Sequence, residues 1–157
     1  MTKKSRPYED RTDLEKIRSQ WKKLSGLHTR EEWSAAIVRA ATAAEIAANF
    51  AVRQEFTASS SFDEDFVDGL LIWSNGLAGK LDRLLIPVTA LDGAKNKEIR
   101  ALKTIAREIN RKRNSVVHQG EFCNEEEAES GIASSREFIT RLIQIYEPAF
   151  ALKDKQA

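Results

Sequence analysis

Nine of the seventeen residues from Ala35 to Ala51 are alanine. Alanine loses no side-chain entropy in a helix and is the best intrinsic helix former. The run has no period-two alternation, so it does not read as a strand. Small side chains on several faces let neighbouring helices approach closely. The stretch therefore predicts a helix over about 30–56 at the centre of a bundle.

The rest of the chain agrees. Pro occurs only at positions 7, 87 and 148, and apolar residues between them recur at spacings of three and four. Leu14, Ile17, Trp21 and Leu24 predict a first helix over about 10–24, stopped by Gly26. Thr29 and Glu32 form a capping-box pattern ahead of the alanine run. Phe62, Phe66, Leu70, Trp73, Leu77, Leu81 and Leu84 predict a third helix, with N-caps in Ser59–Ser61 and an end at Pro87. Gly69, Gly76 and Gly79 weaken that helix locally. Ile99, Leu102, Ile105, Ala106 and Ile109 mark a fourth helix starting near Lys95. Asn124 caps a last helix, whose stripe runs from Ala128 to Tyr146. The expected fold is all-α: one domain over 1–157, an up-and-down bundle of four to five long helices, with loose ends at 1–8 and 153–157.

Composition narrows the function classes. With 25 Lys+Arg against 24 Asp+Glu the net charge is +1, so binding of nucleic acid needs a local patch. One cysteine, Cys123, excludes an internal disulfide and a Cys-rich zinc site; it reads as a small buried hydrophobe. His28 and His118 are too few for a His-based metal centre, and no metal or cofactor is expected. His28 reads as a surface turn residue, and Trp21, Trp33 and Trp73 as core. No run of 18 apolar residues exists and no apolar stretch follows the basic N-terminus, so neither a membrane span nor a secretory signal is expected, and the cytoplasm is the default location. Glu121, Glu125, Glu126, Glu127 and Glu129 read as complements to a helix N-terminus, or as a surface for a basic partner.

The segment Arg107–Gly120 carries the chemistry. Arg113 follows Ile109 by four residues and precedes Val116 by three, which sets a guanidinium on or beside the apolar stripe. Such a group needs a partner or a cleft. His118 lies five residues on, about 140° past a full turn of an unbroken helix. Helix termination before Gly120, or a two-fold dimer, would bring the two together. Glu45, with Asn49 one turn later, lies on the alanine-rich helix; Arg113 is its expected partner, either as a structural pair or as part of the chemistry. Arg100, Lys103, Arg107 and Arg111 share roughly one helix face: an RNA-backbone track, or a solvated face favoured by the helix dipole.

Arg113-Asn114-Ser115-Val116-Val117-His118 resembles the Arg-x(4–6)-His signature of HEPN domains, including the polar residue after the Arg. Its setting, at the end of a long helix before a short loop and an acid-capped final helix, is similar too, and the bundle pattern agrees over about 30–147. The resemblance implies a helical bundle that dimerises, with two motifs facing each other in a composite site. Many members are metal-independent endoribonucleases, some of them toxins with cognate antitoxins or defence components. Others are non-catalytic modules that bind a protein, nucleotide or RNA. On the active reading, His118 exchanges protons or orients the substrate, Arg113 clamps phosphate, and Asn114 positions either.

Overall fold

The computed structural model describes residues 6–29, 31–59, 63–74 and 76–153. Among them there is no strand. A single 3-10 turn at Tyr8–Asp10 leads into six helices. These are α1 (Asp13–Thr29), α2 (Trp33–Ser59), α3 (Glu64–Trp73), α4 (77–88), α5 (Gly93–Gln119) and α6 (Glu125–Gln144). The all-α bundle expected from periodicity is the observed fold.

α2 is the central helix, and α1, α3, α4, α5 and α6 all contact it. Ala36, Ala43, Ala44, Ala47, Ala48 and Ala51 are completely buried. Methyl side chains on successive faces are what permit this crowding. By length and apolar content α2 would also satisfy a bilayer, but those faces are occupied by the other helices. Ion pairs show which ends of the long helices meet. Arg53–Asp13 joins the end of α2 to the start of α1, and Lys95–Glu55 joins the start of α5 to the end of α2. Arg141–Glu98 and Lys112–Glu127 run α6 antiparallel to α5. The connectivity is therefore up-and-down. Phe138, Ile139, Leu142 and Ile143 of α6, with Ile99 and Leu102 of α5, fill the core.

Several boundaries differ from expectation. α1 runs through Gly26 to Thr29, so Thr29 lies within α1 rather than in a link ahead of α2. The chain turns instead through a Schellman closure: Glu31 N donates to His28 O and Glu32 N to Leu27 O, with Glu31 in the left-handed region at φ 59°. Asp63, not a serine, caps α3 by accepting from Phe66 N at 2.9 Å. The expected caps Ser60 and Ser61, the stripe residue Phe62 and the ends 1–5 and 154–157 lie outside the described residues.

The third expected helix is two. It breaks at 74–76, where Gly76 takes φ +81°, a conformation that an L side chain resists. Pro87 does not end α4 but distorts it. Residues Leu81–Leu85 form a π turn in which Ile86 N reaches back to Leu81 O. The wider turn accommodates a ring that brings no N–H. The break also turns Trp73 outward: it is 86% exposed, against the expectation of core, and Ile72 is 73% exposed. Trp21 is buried as expected, while Trp33 is half-buried against the edge of His28, ring centroids 5.1 Å apart. His28 is thus a half-buried residue of α1, not a turn residue. Asn124 and Gly120 behave as read. Asn124 accepts from Glu127 N at 2.8 Å, and Gly120 ends α5 at φ 65°.

Candidate functional site

α5 begins at Asp92, whose side chain accepts from Lys95 N. It continues unbroken through both Arg113 and His118. The two side chains therefore diverge by about 140° on one helix. Termination before His118, one of the two devices expected to unite them, does not occur. Arg113 is half-buried and His118 is exposed in the last turn. Asn114 lies between them in azimuth, about 100° from Arg113 and about 40° from His118.

Arg113 opens onto a cleft of about 440 Å³ between α2, the start of α4 and α5. Glu45 and Thr42 form one wall, Asn110, Arg113 and Asn114 the other, and Ala41, Leu77 and Ile109 are apolar lining. Arg113 Nη1 donates to Asn114 Oδ1 at 3.3 Å. The expected Glu45–Arg113 pair does not form. Glu45 Oε1 is taken by Lys80 Nζ of α4 at 2.8 Å. Lys80 is 4% exposed. A buried ammonium without a carboxylate is far costlier than a half-exposed guanidinium on a cleft, so Lys80 takes the carboxylate. Among the described residues Arg113 has no carboxylate partner. Asn49, one turn beyond Glu45, keeps its Oδ1 buried without a hydrogen bond.

The neighbouring cation behaves differently. Lys112 projects about 100° away from Arg113, toward α6. Its ammonium meets Glu121 at 2.5 Å and also Glu127. These hydrogen bonds hold the Lys112 ammonium above its ordinary range and the Glu127 carboxyl below its own. Glu121, Cys123 and Glu127 lie close enough to offer ligands to one ion, and Lys112 pairs with both carboxylates. So part of the acidic cluster pairs within the chain, while Glu125, Glu126 and Glu129 stay exposed around the start of α6. Cys123 is half-buried rather than core, and its N–H donates to Ser34 Oγ.

The basic face is partly neutralised. Lys103 lies 2.9 Å and Arg107 3.8 Å from Asp82 of α4. Arg100 donates to Asn96 Oδ1 at 2.7 Å. Arg111 is exposed and lines a second cleft between α5 and α6. A continuous cationic track to Arg113 is therefore interrupted at Asp82.

Thr42, Lys80 and Asn110 belong to the site and were not expected there. Asn110 had a visible signal: it stands three residues before Arg113 and four before Asn114, so all three share a helix sector. Lys80 stands in an otherwise apolar stripe between Leu77 and Leu84, which marks a lysine in need of a carboxylate.

No protein-family model, curated protein or solved structure matches this chain.

Proposed function

We propose that the protein is a metal-independent endoribonuclease of HEPN type, acting at a site shared by two copies of the chain. One observation carries this reading: Arg113 is half-buried at a cleft, steadied by Asn114, and has no carboxylate partner among the described residues. A guanidinium in that state is a ligand for a phosphate, which it can hold through two parallel N–H donors. In the reaction the 2′-OH attacks the adjacent phosphorus and its proton passes to a base. The P–O5′ bond breaks, and the leaving oxygen takes a proton. The products are a 2′,3′-cyclic phosphate and a 5′-OH. Arg113 stabilises the charge that builds on the phosphorane, and His118 moves the protons near neutral pH.

Since the two groups diverge on one helix, His118 serves the phosphate held by Arg113 of another copy. Val117 and Phe122, 46% and 95% exposed beside His118, give a second copy an apolar rim to cover. An antitoxin-like protein that blocks the cleft is the regulatory partner this reading anticipates. The divergence also favours a second reading, a non-catalytic HEPN-like module that binds an anionic partner through Arg113 alone.

Mixed RNA incubated with the protein in EDTA separates the two. On the nuclease reading the wild type cleaves, Arg113→Ala and His118→Ala do not, and mixing the two variants restores activity through hybrid dimers. An inactive wild type across diverse RNAs supports the binding module. Equal cleavage by all three proteins marks a contaminating nuclease.

A further inference from the structure

The cleft has a second charged residue, the acidic Glu45, which lines it together with Arg113. Lys80 holds Glu45 through Oε1 only; Oε2 has no partner among the described residues. Glu45 is thus held through Oε1 by a buried ammonium and, with Oε2 unpartnered among the described residues, lines the same cleft as Arg113. Between them lie an apolar lining that includes Leu77 and an amide at Asn110. A flat group with N–H donors on its edge and a phosphate attached matches that order: apolar contact for its face, an acceptor for its edge, a guanidinium for its charge. A bare phosphate leaves Glu45 unused, and proximity to that carboxylate weakens its binding.

We infer that this cleft reads the base of the nucleotide whose phosphate Arg113 holds, and that it selects bases with an exocyclic amine, which donates to Glu45 Oε2. Lys80 is then a positioning residue that acts through Glu45. The inference rests on the reading of Arg113 as a phosphate ligand and adds a base preference to it. Cytosine and uracil give the sharpest contrast, because they share a ring and differ at position 4. Cytosine offers an amine there, whereas uracil offers a carbonyl oxygen that meets the carboxylate as acceptor against acceptor.

The experiment is equilibrium binding of cytidine and uridine 5′-monophosphates to the wild type, with inorganic phosphate as competitor. Cytidine monophosphate should bind about tenfold tighter than uridine monophosphate, within the discrimination expected of one base-edge contact. Phosphate should displace both, and Arg113→Ala should weaken both alike. Glu45→Gln should erase the preference, since its carboxamide can turn an N–H toward uracil O4. Equal binding of the two nucleotides by the wild type overturns the inference, as does binding of neither. Nucleotide binding with the cytidine preference but no RNA cleavage leaves the base site standing and removes the nuclease reading. RNA cleavage with equal nucleotide binding does the reverse. The wild-type comparison needs no variant to fold.

Discussion

α2 and α5 run antiparallel and bring a carboxylate near a cation at two places, with opposite outcomes. At the closed end, Glu55 is 6% exposed and accepts from Lys95 Nζ at 2.7 Å and from the Tyr146 hydroxyl at 2.8 Å. The ammonium also lies 5.4 Å from the Tyr146 ring centroid, and burial beside Glu55 pushes the phenol well above its ordinary range. At the open end, Glu45 and Arg113 line one cleft without pairing. Lys80 supplies the carboxylate's partner there, and α4 holds the walls apart. A carboxylate and a cation on the same two helices thus serve as a fastening at one end and line an open cleft at the other. Ion-pair partners follow from burial and from third helices, not from spacing along one.

The comparison breaks most readily at Arg113. Arg113→Ala should lower RNA cleavage by about 10²–10³-fold, the scale of losing one transition-state charge donor. It should leave the denaturation midpoint nearly unmoved, because no carboxylate loses its partner. A large fall in the midpoint would class Arg113 with the fastening. The converse change is Lys95→Met, which removes the ammonium 2.7 Å from the buried Glu55 carboxylate and should cost about 3 kcal/mol in unfolding free energy. Cleavage per folded molecule should not change. If the variant unfolds at the wild-type urea concentration, the closed end is not a fastening. Gly76 tests how the cleft keeps its form. Gly76→Ala forces a side chain onto a left-handed residue, and the new Cβ would stand 3.4 Å from Asn110 Oδ1. The expected cost is about 1 kcal/mol, read by denaturation, with a weaker grip on phosphate. A neutral result in both assays would separate Gly76 from the site.

The bundle was legible because its signals are local. Alanines 35–51 specify a crowded helix, Asn124 caps α6 through its own third neighbour, and Gly120 ends α5 with a left-handed residue. What escaped depended on the third dimension. The stripe from Phe66 to Leu84 has one helical period, but the turn at Gly76 rotates its first half and leaves Trp73 in water. That Arg113 and Asn114 stand side by side was legible because they lie one step apart on one helix. The Glu45–Arg113 pairing was not, since the competing Lys80 comes from a segment whose path is set by that turn.

Lys112 gives the finest test, because it asks why its neighbour Arg113 lacks an acid although Glu121 and Glu127 are close in sequence. The structural answer is that both acids meet Lys112, about 100° round the helix from Arg113. The hydrogen bond from Lys112 lowers the Glu127 carboxyl below 4.5, so its stabilisation is complete above that pH and fades as pH falls through the depressed value. Hydrogen bonds to Glu121 and Glu127 raise the Lys112 ammonium above 10.5, so its share is complete below that pH and is lost only in stronger alkali. These groups are partly solvated and the effect is small. Lys112→Met should therefore melt slightly below the wild type between pH 5 and 9, and the gap should close as the carboxyls protonate on acidification. Thermal melts of the pair across pH 3–9 read this directly. A gap as wide at pH 3 as at pH 7 would mean that Lys112 contributes by packing its methylenes rather than by its charge.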